Sequence, residues 1–247
     1  MLLHLALALT LGTTYPIHDE VLTDNPLYRT GRMATITCPE KPVASMNRPQ
    51  ARKYFESVHG CLHRAWRAQL KKVGLPLVNA SLGFIDRPRT QCGDKWEKNI
   101  AGVYCPDEFR YVILLDRNLL EFPYDLFMFQ LAAHEYAHHV QNVTGLNYAF
   151  QRHPSVGDRE TQEQTRRSEL QAECLSGVFT GSAFSSLDRP KSDVNDLLDV
   201  FRSSGDEDFK AHDHGKGKNR VAWFRKGFES RDPKSCNTWI SESSKVA

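Results

Sequence analysis

LAAHEYAHHVQNVTG, residues 131–145, places three histidines and one glutamate within six positions of an otherwise largely apolar segment. Large apolar side chains continue upstream, at Leu126, Phe127 and Phe129, which predicts a helix buried on most of its surface. Ionisable groups cost free energy in such a helix unless they are paired or bind a metal. The polar cluster therefore indicates a chemical role rather than a packing role.

The histidines of this stretch are not equivalent. His134 and His138 are four residues apart, so both imidazoles leave one face of a helix, and Glu135 beside them completes the pattern HExxH. Zinc held by two histidines and a carboxylate keeps a fourth position for water, whose proton the adjacent glutamate takes. The pattern predicts one zinc ion per chain, with Glu135 as general base. His139 points about 100° away around the helix and is predicted to be structural.

A third protein ligand is predicted on a second helix, within RRSELQAECLSGVF at residues 166–179. Glu169 and Glu173 are four residues apart and share one face. We assign Glu169 to the metal and Glu173, one turn later, to the free N–H of His134. The residues alone leave the two roles interchangeable, and a solvated glutamate face beside Arg166 and Arg167 is the alternative without a metal.

The composition describes one globular domain. The chain has 247 residues, of which 40% are hydrophobic and 25% charged. Its 32 basic and 30 acidic residues are interspersed, which predicts no nucleic-acid surface and no polybasic membrane patch. Residues 1–15 are an apolar leader or signal peptide, too short to span a bilayer, and residues 16–247 form the predicted domain.

The cysteines predict an exported protein. There are six, and none has the CxxC spacing of zinc or redox sites. Disulfides in an oxidising compartment fit this count best, and a bridge between Cys92 and Cys105 would hold a short polar loop. Cys174 also fits a small buried apolar side chain. The expected location is secreted or extracytoplasmic, either free or tethered through the N-terminal segment.

Periodicity predicts an α+β fold that is mostly helical, with a small sheet. The run YVILLD at residues 111–116 is apolar enough to be buried on both faces or to border a substrate cleft. The predicted strands are 81–86 and 111–116, and the predicted helices are 49–73, 124–143, 159–181, 190–203 and 217–229.

Three blocks in this order, HEYAHHVQ, RRSELQAECLSGV and VAWFRKGFESRDPKSCNTW, resemble the putative neutral zinc metallopeptidase family of bacteria, particularly its secreted actinobacterial branch. The resemblance implies a zincin-like fold, with a small sheet beside the HExxH helix and Glu169 as third ligand. Family members usually carry aspartate where this chain has Glu173. The resemblance also implies three disulfides, Cys38–Cys61, Cys92–Cys105 and Cys174–Cys236.

The segment HDHGKGKNR, residues 212–220, matches a histidine-glycine element of the same family. His214 is predicted to stabilise the oxyanion formed during peptide hydrolysis, with His212 ranked below it and a flexible polar loop as the alternative. The expected function is a zinc-dependent endopeptidase acting on peptides or proteins. The alternatives are an exported zinc-binding protein with a structural or degenerate site, and a scaffold without metal.

Overall fold

The computed structural model describes residues 17–97, 100–122, 126–207 and 212–247. The predicted leader, residues 1–15, lies outside these ranges. The described part is mainly helical with one small sheet, which confirms the predicted α+β class. Its α-helices are α1 (Glu20–Thr23), α2 (Arg48–Lys71), α3 (Arg117–Leu120), α4 (Phe127–Val143), α5 (Leu146–Arg152), α6 (Asp158–Ala183), α7 (Ser192–Arg202) and α8 (Gly217–Ser230), and its strands are β1 (Ser81–Ile85), β2 (Gly102–Cys105) and β3 (Arg110–Leu114).

The sheet has the order β1-β3-β2, with β3 parallel to β1 and antiparallel to β2. Strand β3 is central and buried on both faces, as its apolar sequence predicts: Tyr111 and Ile113 join the main core, while Val112 and Leu114 pack with Ile85 on the other side. The prediction that β3 borders a substrate is wrong, because both of its edges are occupied. The two outer strands are β1 and β2, and each has one edge that no described strand pairs with. The sequence patterns did not predict β2.

Helix α4 lies at the centre of the fold, in contact with α2, α6, β2 and β3. It is buried nearly all round because its sequence is apolar on most faces. Phe129 stacks on Phe179 of α6 with ring centroids 5.3 Å apart, and Tyr136 meets Tyr111 of β3. These contacts hold the helix that carries the HExxH pattern between a second helix and the sheet.

The three disulfides implied by the family resemblance are confirmed. They are Cys38–Cys61, Cys92–Cys105 and Cys174–Cys236. The last of them joins α6 to the C-terminal segment. Because disulfides persist in oxidising compartments, three of them indicate an extracytoplasmic location. Within the described ranges, no helix combines the length and the apolar composition needed to cross a membrane.

Helices α6 and α8 are in direct backbone contact, which glycine makes possible. A Cβ added to Gly227 would lie 1.9 Å from the carbonyl oxygen of Cys174. Gly227→Ala is therefore expected to force the helices apart and to lower the free energy of unfolding by about 3 kcal/mol, measured by urea denaturation.

Gly60→Ala is the matched control for this prediction, because Gly60 also lies inside a helix. Its added Cβ would meet only Nη1 of Arg64, at 3.4 Å and at the end of a flexible side chain. It should raise the free energy of unfolding by about 0.5–1 kcal/mol. Equal stability of the two variants would contradict the close helix contact.

Candidate metal centre

Helices α4 and α6 bring together the three side chains that the sequence predicts as metal ligands. The Nε2 atoms of His134 and His138 are 3.2 Å apart. Oε2 of Glu169 lies 3.3 Å from each of these nitrogens. Each ligand side chain is less than a fifth exposed. The spacing of four residues on α4 and the packing of α6 across it produce this arrangement.

The donor set and its spacing fit zinc. Zn–N and Zn–O bonds of about 2.0–2.1 Å in a tetrahedron separate neighbouring ligand atoms by about 3.3 Å. The three separations, 3.2, 3.3 and 3.3 Å, match this value. Two neutral imidazoles and one carboxylate are a common ligand set of catalytic zinc. Among the described residues, these three are the one group of histidine, cysteine, aspartate or glutamate side chains close enough to hold a metal ion.

The electrostatics of the ligands show how strongly they interact without a metal. Burial disfavours the charged forms of Glu169 and His138, but the attraction between their opposite charges outweighs the effect of burial. The charges of His138 and His214 hold the pKa of Glu169 well below its usual range. The charge of Glu169 and the hydrogen bond to it raise the pKa of His138 to about 9. A divalent cation would replace the proton between these groups, so metal binding is expected to release protons.

His138 is oriented by a contact that the sequence analysis missed. Its Nδ1 lies 2.9 Å from Oε1 of Gln141, three residues further along α4. The side-chain amide of Gln141 donates in turn to the carbonyl oxygen of Ser168, at 2.8 Å. The spacing of three residues was the available signal, because residues i and i+3 meet on a helix. Gln141 thus ties the ring of one ligand to the backbone beside Glu169.

The predicted contact between Glu173 and His134 is wrong. Oε1 of Glu173 accepts a hydrogen bond from Gln130 at 2.6 Å, and Oε2 pairs with Nη2 of Arg220 at 2.7 Å. The Nδ1 atom of His134 is buried and has no hydrogen-bond partner among the described residues. The guanidinium of Arg220, which α8 places beside α6, is a stronger partner for a buried carboxylate than an imidazole N–H.

Glu135 lies beside the ligands but faces the sheet. Its side chain packs against Gly102 of β2, and the residue is 5% exposed. Burial raises the pKa of the Glu135 carboxyl, although His134 and His138 act in the opposite direction. A carboxylate with a raised pKa is a better proton acceptor than one in water. Glu135 therefore lies beside the proposed ligands with a raised pKa, and its role as general base stays a prediction.

His214 approaches the centre from the segment before α8. Its Nε2 is 3.5 Å from Oε2 of Glu169, and its Nδ1 is 2.6 Å from Oδ1 of Asp213. The carboxylate of Asp206 accepts hydrogen bonds from the backbone N–H groups of His214 and Gly215, which fixes the loop. Burial opposes protonation, but Glu169 and Asp213 together raise the pKa of His214 to about 9. His212 is exposed and does not join the cluster.

His139 has the structural environment that its angle on the helix predicts. It is fully buried. Its Nδ1 lies 3.0 Å from the hydroxyl of Tyr104, and its Nε2 lies 2.8 Å from the carbonyl oxygen of Val78. Both ring nitrogens are therefore engaged away from the ligand face. His139 links α4 to β2 and to the chain before β1.

His59, on helix α2, predicts that the free energy of unfolding falls at acidic pH. His59 of α2 lies 3.0 Å from the hydroxyl of Tyr111 through Nδ1, and Tyr136 also faces it. Burial and the charges of His63 and His139 lower the pKa of His59 to about 4. In the unfolded chain His59 is therefore protonated below about pH 6.5, whereas in the folded chain it is protonated only below about pH 4. Stability attributable to His59 is complete above pH 6.5 and is lost as the pH falls through this window.

The expected loss is about 2 kcal/mol, less than the full pKa shift would give because His59 is only half-buried. Urea denaturation of the metal-free protein between pH 7 and pH 4 measures it. His59→Gln should flatten the pH dependence, while His18→Gln, at an exposed position, should leave it unchanged. Parallel curves for all three proteins would contradict the prediction.

A cleft of about 550 Å³ opens over the centre, and all four residues of β2 line it. The other walls come from the loop before β2, from α5 and from the segment before α8, and include Trp96, Phe150 and His214. Strand β3 pairs with one edge of β2, and no described strand pairs with its other edge. An extended chain can add to such an edge by backbone hydrogen bonds.

Comparison with known proteins decides the family. The model of the family described as "Putative neutral zinc metallopeptidase" matches residues 2–239. The chain belongs to this family. The match covers nearly the whole sequence, including both helices of the metal centre, and confirms the resemblance seen in the sequence blocks.

Two relatives of this neutral zinc metallopeptidase family member are described as uncharacterized proteins. The chain is 26% identical over 212 residues to "Uncharacterized protein YpfJ" of Escherichia coli K12, covering 79% of this chain and 74% of the relative. It is 28% identical over 131 residues to "Uncharacterized protein Rv2575" of Mycobacterium tuberculosis H37Rv, covering 44% of this chain and 43% of that one. No solved structure matches the chain significantly.

Proposed function

We propose that this protein is an exported zinc-dependent endopeptidase. The observation that supports the proposal best is a cluster of two imidazole nitrogens and one carboxylate oxygen, which lie 3.2–3.3 Å from one another. The cluster lies beside the buried Glu135, and an open cleft lies over it. His134, His138 and Glu169 would hold one zinc ion per chain. The family and the three disulfides fit this function and an oxidising location.

The chemistry divides between the metal and the side chains. A bound zinc ion supplies a Lewis acid, which polarises the scissile carbonyl and makes water more acidic. Glu135 accepts the proton of the attacking water and later passes it to the leaving amine. His214, which Asp213 holds through Nδ1, donates a hydrogen bond from Nε2 to the oxyanion that develops on the carbonyl.

The proposed substrate is an extended segment of a peptide or an unfolded protein. It would lie along the free edge of β2 and pair with its backbone. Backbone pairing requires an unfolded segment because the amide and carbonyl groups of the substrate must be free to form hydrogen bonds with β2. We propose no partner other than this substrate, neither nucleic acid nor a membrane.

The test combines metal analysis with mapping of cleavage sites. The disulfide-intact protein is expected to carry one zinc ion and to cleave a pool of denatured proteins at internal bonds, identified by mass spectrometry. Chelation should stop cleavage and added zinc should restore it. Glu169→Gln should lose zinc and activity together, while Glu160→Gln, at the start of the same helix and outside the cluster, should keep both.

The outcomes separate this proposal from its alternatives. Stoichiometric zinc without cleavage of any unfolded substrate would indicate an exported zinc-binding protein with a structural or degenerate site. A protein that binds no zinc in its disulfide-intact form would contradict the metal centre itself.

A further inference from the structure

Gly102, the first residue of β2, leaves no room for a side chain next to Glu135. A Cβ added there would lie 2.6 Å from Oε1 of Glu135 and 2.8 Å from its Cγ and Cδ atoms. Non-bonded carbon atoms normally approach to about 3.5–4.0 Å. Gly102 is not among the residues with positive φ, so its backbone does not require glycine. What glycine provides at this position is space.

Glu135 would have to leave its place to accommodate such a side chain. It lies on α4 between two proposed ligands, and its 5% exposure shows that protein surrounds it. Helix α4 is fixed in turn by its contacts with β2 and β3. A carboxylate pushed away from β2 would leave the position beside the ligands. Glycine inside a strand commonly marks such a close approach.

We propose that Gly102 is a positioning residue: its lack of a side chain sets the place of the Glu135 carboxylate against β2. Its effect on the rate rests on the proposed endopeptidase function, whereas its effect on the place of Glu135 does not. Any side chain at residue 102 would displace the general base while leaving the three proposed ligands where they are.

Gly83 of β1 provides a matched control. Both glycines lie in strands that pair with β3, Gly83 opposite Val112 and Gly102 opposite Ile113. A Cβ at Gly83 would approach Nε and Nη2 of Arg110 to 2.8 Å. The side chain of Arg110 is 36% exposed, so its guanidinium can move aside. Gly83→Ala thus adds the same methyl group to the same sheet away from Glu135.

The experiment compares Gly102→Ala and Gly83→Ala with and without zinc. Gly102→Ala should lower kcat by about 10- to 100-fold, the effect of misplacing a reacting group by about 1 Å, with KM and zinc stoichiometry unchanged. Gly83→Ala should leave kcat, KM and zinc stoichiometry as in the wild type. In the crystal structure of metal-free Gly102→Ala, the Glu135 carboxylate should be displaced by about 1 Å.

Two further variants keep the proposal testable if Gly102→Ala is unstable or inactive. Glu135→Asp shortens the side chain by one methylene, so its effect on kcat should be smaller in the Gly102→Ala background than in the wild type. Glu135→Ala creates the missing space, so it should restore the melting temperature that Gly102→Ala loses. Additive effects in both comparisons would overturn the positioning role.

The failure of this proposal differs from the failure of the proposed function. An unchanged kcat, or an unmoved Glu135 carboxylate in metal-free Gly102→Ala, overturns the role of Gly102 and leaves the peptidase intact. A wild-type protein without peptidase activity overturns the function, while the crystal structures and melting temperatures still decide whether Gly102 positions Glu135.

Discussion

Glu135→Gln is expected to lower kcat for peptide hydrolysis by about 10²- to 10⁴-fold, the range that general acid–base catalysis contributes, while zinc remains bound. The amide of glutamine has nearly the shape of the carboxylate but accepts no proton. His134, His138 and Glu169 keep their separations of 3.2–3.3 Å, so the metal centre should be unaffected. The result would identify Glu135 as the base rather than as a support for the ligands.

The measurement pairs zinc analysis with steady-state kinetics on one peptide found by the cleavage mapping. Glu160→Gln removes a carboxylate charge from α6, where Glu160 accepts hydrogen bonds from the backbone of Val156 and the side-chain amide of Gln164, away from the cluster. It should retain the wild-type kcat. A Glu135→Gln protein with bound zinc and an undiminished kcat would assign the proton transfer to another group.

The long helices α2, α4 and α6 could be predicted closely because their signals are local, whereas the short helices α1, α3 and α5 were not predicted. The apolar period of α2 predicted residues 49–73, and the helix is Arg48–Lys71. The predicted helix 159–181 is observed as Asp158–Ala183. The predicted helix 124–143 is observed as Phe127–Val143, and its first two residues lie outside the described ranges. Spacings of three and four residues carry this information without reference to distant parts of the chain.

Strand β2 could not be predicted in the same way. Its four residues, Gly102–Cys105, are too few to show an alternating pattern, and they become a strand only by pairing with β3. The order of strands in the sheet depends on that pairing, so the sequence assigned the substrate edge to the more apolar β3. The sequence therefore predicted the cluster of His134, His138 and Glu169 between two helices, but not the strand that lines the cleft beside it.

The partner of the Glu173 carboxylate also could not be predicted from local sequence patterns. Spacing on α6 placed Glu169 and Glu173 on one face, and both point towards α4, as predicted. The partner of Glu173 is Arg220, 47 residues later in the chain. No local pattern indicates that α8 brings a guanidinium to this position. The predicted burial of Glu173 indicates only that its carboxylate needs an oppositely charged partner, not which residue provides it.

Arg220→Met is expected to lower the free energy of unfolding by about 3–5 kcal/mol, because it leaves the charge of Glu173 buried and unpaired. The side chain of Glu173 is 2% exposed. Arg220 contacts it through Nε and Nη2, and also donates from Nη1 to the carbonyl oxygen of Ser204 at 2.8 Å. Methionine retains much of the apolar volume of arginine, so the loss measures mainly the missing charge. Urea denaturation of the metal-free protein determines it.

Two variants separate the buried charge from other effects of this substitution. Glu173→Gln in the Arg220→Met background removes the unpaired charge and should recover at least half of the lost stability. Arg225→Met changes an exposed arginine on the same helix and should alter the free energy of unfolding by less than about 0.5 kcal/mol. If the double variant is no more stable than Arg220→Met alone, the unpaired charge of Glu173 is not the cause. Arg220 would then stabilise the fold through packing on Phe201, whose ring centroid lies 5.0 Å from the guanidinium carbon of Arg220.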